Sequence, residues 1–114
     1  MEITEKQRKV IAEIAQTYGF KLVLLFGSQA RGTTHRQSDV DMGFLSDQSM
    51  GLSEIARAEF EMSQQLHMPR LELVSLGGMS SLFLRQVIAE GHILYESNPG
   101  EYTSFVSYVF RRFV

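Results

Sequence analysis

Residues 25–42 read LFGSQARGTTHRQSDVDM: the apolar end of one strand, a polar loop, and the opening of a second strand. The run that leads into it, FKLVLLF at positions 20–26, is nearly all apolar and is bounded by Gly19 and Gly27, which predicts a strand covered on both faces. The stretch GSQARGTTHRQS has too little apolar surface to supply core and is expected to be a loop, with room for one helical turn after Ser28. Residues 39–45, DVDMGFL, alternate in their first half. They predict a second strand with Asp39 and Asp41 on one face and Val40 and Met42 on the other.

Carboxylates at positions i and i+2 of a strand project in parallel, so both can grip a hard divalent cation through oxygen. Like charges so placed repel each other, and either water bathes the strand end or a cation neutralises them. The loop upstream favours the cation. Gly27 permits close backbone approach directly after a buried strand, and Ser28 offers a hydroxyl and an amide, which together make a phosphate cradle. A Gly-Ser pair alone is a simple turn. Combined with Arg31, Gly32 and Asp39-Val40-Asp41 in one strand-loop-strand unit, it makes a pocket that triphosphate and Mg2+ could share. Arg31 has two readings, a phosphate contact or a buttress for loop carbonyls, and Arg36 is a weaker phosphate candidate. His35, His67 and His92 have no partner His or Cys nearby in sequence and read as solvated.

Around this unit, Thr4 with Gln7 three residues on predicts a capped helix over residues 4–18, its apolar face marked by Val10, Ile11, Ile14 and Ala15. Leu52, Ile55, Ala56, Phe60, Met62 and Leu66 predict a long helix opened by Ser53 and followed by Pro69. Residues 70–76, RLELVSL, predict a third strand, Gly77-Gly78 a turn, and Leu82, Phe83, Gln86, Val87 and Ile88 a helix closed by Gly91. HILYE predicts a further strand. After Asn98-Pro99-Gly100, Phe105, Val109, Phe110 and Phe113 recur at near-helical spacing. This tail is either a docking helix anchored by Tyr102, Phe105, Tyr108, Phe110 and Phe113, or a stripe packed on the domain's own sheet. The element order describes one α/β unit, with 1–96 as the domain and 97–114 as an aromatic tail.

At 114 residues the chain has room for one domain. No apolar run approaches the roughly 20 residues of a membrane span, the charged N-terminus has no signal-like apolar stretch, and there is no cysteine for a disulfide or a thiolate metal site. A cytoplasmic location is the expectation, with no membrane contact. A net charge of -2 gives no long-range pull on a polyanion, so direct nucleic-acid binding is not expected and any nucleotide must be held locally.

The segment at 25–42 resembles the signature of the minimal nucleotidyltransferases (MNT) of the polymerase-beta superfamily, in which Gly-Ser, a spacer of ten residues and Asp-x-Asp define the active site. RLELVSLGGMSSLFLRQVIAEGHILYE is similar to the region that follows in that family, a strand with a third carboxylate, then a helix and a short apolar strand. The resemblance implies an α+β fold, a small mixed β-sheet flanked by helices. It implies that Asp39 and Asp41 ligate a pair of Mg2+ ions and that Gly27 and Ser28 contact the phosphates of ATP. In the resemblance Glu72 stands where the third carboxylate usually lies, as metal ligand and base, although that position is usually Asp. Its extra methylene calls for a shifted strand or a water bridge in a site held to about 0.5 Å. The implied reaction is in-line displacement at the α-phosphorus, with two metals activating the hydroxyl and clamping the triphosphate. Within the superfamily the chain looks like the MNT antitoxins of HEPN/MNT toxin-antitoxin pairs. There the implied activity is AMP transfer from ATP to a tyrosine of the HEPN toxin, within a hetero-oligomer. Two alternatives are an antitoxin that acts by binding alone and a small-molecule nucleotidyltransferase of the aminoglycoside-modifying kind. The absence of a separate acceptor domain argues against the last.

Overall fold

The computed structural model describes residues 1–27 and 39–112. Helix α1 (Glu5–Tyr18) opens with both halves of a capping box: Thr4 Oγ1 accepts from the Gln7 amide at 3.1 Å, and Gln7 Oε1 accepts from the Thr4 amide at 2.9 Å. Gly19, in the left-handed region at φ 73°, ends the helix and hands the chain to β1 (Phe20–Phe26). The remaining elements are β2 (Val40–Ser46), α2 (Leu52–Leu66), β3 (Leu71–Ser75), α3 (Ser81–Glu90), β4 (His92–Glu96) and α4 (Glu101–Arg112). Among the described residues the four strands form one mixed sheet in the order β3-β2-β1-β4. β1 runs antiparallel to both β2 and β4, while β2 and β3 are parallel, which requires the crossover that α2 supplies.

Both faces of the sheet are covered, as the nearly all-apolar run of β1 predicts. Val23 and Leu25 of β1, with Val40, Met42 and Phe44 of β2, pack against α1 and α2 through Ile11, Ile14, Ala58 and Met62. Leu22, Leu24 and Phe26 face the other way, toward Leu84 and Val87 of α3 and Phe105 and Val109 of α4. Strict alternation would send Phe20 to the α3/α4 side. An irregularity in the β1–β2 register at Lys21 turns it to the α1/α2 side, where its ring stacks on Phe44 with centroids 4.4 Å apart. On the α3/α4 side, Gly43 leaves the space that buried Leu76 fills, since a Cβ there would lie 2.7 Å from Leu76 Cδ2.

Two readings of α2 change, where it begins and which face it buries. α2 begins after Gly51 rather than at Ser53, with Glu54 Oε1 accepting from the Gly51 amide at 3.4 Å. Its inward face is Ala58, Met62 and Leu66, while Leu52 and Phe60, read as part of the apolar stripe, are 88% and 63% exposed. The sequence carries two apolar rows on this helix, one through Leu52, Ala56 and Phe60 and another through Ile55, Ala58, Met62 and Leu66, and only the second meets the sheet. Gly91 does close α3, but at φ -76° in an extended conformation. Its amide reaches the Val87 carbonyl, and a Cβ would press on that same oxygen. In the tail, Phe105 and Val109 are buried against the sheet, whereas Tyr108 and Phe110 are exposed, with the Arg85 guanidinium 4.9 Å above the Phe110 ring. Phe113 lies outside the described residues. Among the described residues no helix is long and apolar enough to cross a membrane.

At the β3 edge of the sheet, the Leu71 amide donates to the Met68 carbonyl at 3.1 Å and the Leu73 amide to Glu59 Oε2 of α2 at 2.9 Å.

Candidate active site

The strand pairings bring the candidate residues to one end of the sheet. Antiparallel pairing sets Phe26 opposite Asp41, and parallel pairing sets Asp41 opposite Glu72. Since Val40 and Met42 are buried on the α1/α2 side, Asp41 projects to the α3/α4 side, as does Glu72, whose neighbours Leu71 and Leu73 are buried opposite. Gly27 closes the corner. Its φ of 77° lies in the left-handed region, and a Cβ built on it would overlap the Asp41 carboxylate. The group that comes close to Gly27 is the protein's own Asp41 carboxylate.

The charges are arranged in two pairs. Glu72 is exposed, yet its carboxyl is held above the usual carboxylate range, first by the negative charge of Asp41, next by a side-chain hydrogen bond with Asp41, then by desolvation and the charges of Asp39 and Glu59. Asp39, one residue before β2, accepts at Oδ1 from Arg70 Nε at 2.9 Å, and both side chains are largely exposed. Asp41 and Glu72 thus meet as two hard oxygen donors in contact, the donor chemistry that suits Mg2+, which would take the place of the proton between them. Asp39, just outside the strand, is near enough for its charge to act on Glu72. Its charge is engaged by Arg70, and among the described residues no three acidic or imidazole groups gather closely enough to hold an ion.

Ser28, Arg31, His35 and Arg36, the remaining loop candidates, lie outside the described residues. His67 serves the backbone, as the left-handed C-cap of α2. Arg70 was missed by the sequence reading; it stands in the turn just before β3, and only the pairing of β3 with β2 brings it to Asp39. A cavity of about 570 Å³ opens on the same side of the sheet, lined by Leu22, Leu45, Leu76, Leu84, Phe105 and Tyr108 among others. Leu45 is four residues along β2 from Asp41, about 13 Å away, so this cavity is at the opposite end from the carboxylates.

Fold and corner together define a small α+β domain that presents paired carboxylates beside a strand-end glycine. Residues 9–100 match the Polymerase beta, Nucleotidyltransferase family, and the chain belongs to that family. The match ends just before α4. Among curated proteins, the chain is 36% identical over 78 residues to the protein adenylyltransferase MntA of Shewanella oneidensis, an alignment covering 66% of this chain and 53% of that relative. The chain thus spans about half the length of the curated relative it matches. Among solved structures, a toxin-antitoxin complex with AMP-PNP superposes with a TM-score of 0.79 at 22% identity, over 93% of this chain and 86% of that one. A tri-AMPylated Shewanella oneidensis HEPN toxin in complex with MNT antitoxin gives a TM-score of 0.74 at 17% identity, over 96% and 85%. These likenesses establish the fold.

Proposed function

We propose that this chain is a cytoplasmic, Mg2+-dependent nucleotidyltransferase that transfers AMP from ATP to a hydroxyl of a partner protein, and that the partner is a HEPN-type toxin whose tyrosine accepts the AMP. The observation that carries this reading is the Asp41–Glu72 pair, pressed against Gly27 at a strand end within a nucleotidyltransferase-family fold. The resemblance to MntA supplies the nucleotide and the acceptor class.

In this reading Asp41 and Glu72 hold the metal between them, and Asp39 joins them from just before β2. Gly27 leaves the space in which the Asp41 carboxylate sits. Ser28 and Arg31 are proposed as nucleotide contacts in the segment between β1 and β2. The acceptor oxygen forms a bond to the α-phosphorus as the bond to pyrophosphate breaks, and the acceptor proton leaves to a base, a role assigned to Glu72. Bound Mg2+ supplies a lowered pKa for the attacking hydroxyl and charge neutralisation for the departing pyrophosphate.

The test is incorporation of label from α-labelled ATP into the co-expressed partner in Mg2+, read alongside intact mass. The partner should gain one or more adenylate units, and the double variant Asp39→Asn with Asp41→Asn should add none. A double variant that still neutralises and co-purifies with the partner while wild type adds no adenylate would establish binding alone as the function. Labelling of an aminoglycoside with no partner present would move the chain to the small-molecule class.

A further inference from the structure

Arg70 and Asp39 are brought together by the backbone. The Val40 amide donates to the Arg70 carbonyl at 3.1 Å, and the parallel register that sets Asp41 against Glu72 opens with Val40 against Leu71, so Asp39 and Arg70 are the residues that lead into the two strands. Asp41 and Glu72 face each other within the two strands, and Asp39 and Arg70 flank them just before β2 and β3 begin. Asp41 and Glu72 contact each other, and Asp39 Oδ1 accepts from Arg70 Nε at 2.9 Å. The Arg70 and Asp39 side chains are 60% and 53% exposed, so the pair adds little to stability, and its placement beside the carboxylates calls for another role.

We infer that Arg70 is the counter-ion that Asp39 surrenders to a divalent cation, and that it thereby sets how tightly the nucleotide-free site takes metal. The inference rests on the reading above that these carboxylates hold Mg2+. A cation that enters alone must weaken the Asp39–Arg70 pair and then sit beside an unneutralised guanidinium. A cation that arrives with a triphosphate brings its own anion, and the released guanidinium has phosphate oxygens to bond. Arg70 therefore makes metal loading conditional on nucleotide, a positive coupling between the two ligands. It is a positioning residue, acting through Asp39.

The measurement is Mn2+ binding to the nucleotide-free full chain, followed by the electron paramagnetic resonance signal of free Mn2+, with thermal melts to show that each variant is folded. Arg70→Gln should bind Mn2+ about three- to five-fold more tightly than wild type, the upper part of the scale set by one exposed charge pair. Arg70→Lys, which keeps the charge but loses the planar fork, should lie between them. In an Asp39→Asn background, where the pair is already broken, Arg70→Gln should gain less than about two-fold by the same scale. Unchanged or weaker binding by Arg70→Gln overturns the inference. So does a gain that persists undiminished in Asp39→Asn, which would reduce Arg70 to a charge acting through space. If wild type itself shows no saturable Mn2+ binding that Asp41→Asn removes, the metal-site reading falls and the inference with it.

Discussion

Replacing Gly27 by alanine tests the corner most directly, because the structure supplies its own control. Gly19 and Gly27 have nearly the same backbone conformation, φ 73° and 77°. A Cβ at Gly19 would meet nothing within 4 Å, whereas one at Gly27 would overlap the Asp41 carboxylate. Both alanine variants bear the left-handed penalty of about 1–2 kcal/mol. At roughly 4 °C per kcal/mol for a domain of this size, each should melt about 4–8 °C lower. Gly27→Ala alone adds overpacking, worth about 1–3 kcal/mol if nothing moves. The clashing atom is at the end of a side chain, so part of that strain is relieved by swinging the Asp41 carboxylate out of place. Displacement of a reacting group by about 1 Å lowers transfer by about 10²-fold. The assay is paired thermal melts with labelled-AMP incorporation for Gly19→Ala, Gly27→Ala, and Gly27→Ala with Asp41→Ala, the last removing the carboxylate that the methyl would strike. In the Asp41→Ala background, Gly27→Ala should cost only the left-handed penalty, without the overpacking. Gly27→Ala matching Gly19→Ala in stability and transferring at the wild-type rate would refute the close contact.

Glu72 provides a pH signature in metal-free protein. Its carboxyl binds its proton more tightly in the folded chain than the ordinary value of 4.5, so its contribution to stability is full below that value and is lost as pH rises through the raised folded pKa. Glu72→Gln should therefore melt higher than wild type near neutral pH, with the gap closing toward pH 4.5 and closing also when Mn2+ is added to wild type. Gly43→Ala should destabilise by about 1–3 kcal/mol in urea titration, because its methyl would lie 2.7 Å from buried Leu76. In the tail, Phe105→Ala should cost about 3–5 kcal/mol, since Phe105 belongs to the core between sheet and α3. Phe110→Ala, at a ring 41% exposed, should leave the melt within about 0.5 kcal/mol of wild type while weakening co-purification with the partner.

The parts of the fold that sequence made legible are those whose signals are local. The α1 cap rests on Thr4 and Gln7, three residues apart, and β1 is bounded by glycines on either side. The facing of Asp41 follows from strand alternation, and the burial of Val40 and Met42 agrees with it, whereas Asp39 stands one residue before the strand. What sequence alone left hidden depends on which surfaces meet. α2 offered two apolar rows, and the choice between them was made by the sheet rather than by spacing. The contact of Asp41 with Glu72 requires β3 to lie beside β2 in a parallel register, a pairing between segments some thirty positions apart. Arg70 needed that same register before its pairing with Asp39 had any meaning. Whether the aromatic tail docks or packs also turned on contacts, and the structure divides it: Phe105 and Val109 face the sheet, Tyr108 and Phe110 face outward.

Glu59 has a consequence of a different kind. β3 lies at the margin of the sheet, where an unoccupied row of amides would invite a strand from another molecule to continue the ladder. Of the outward donors on this five-residue strand, Leu71 is committed to its own turn and Leu73 to the α2 carboxylate. A stranger strand thus finds its central anchoring point already taken by a charged group. The guard leaves the chain free to be held by side chains on its surface without its sheet being extended into fibrous aggregates.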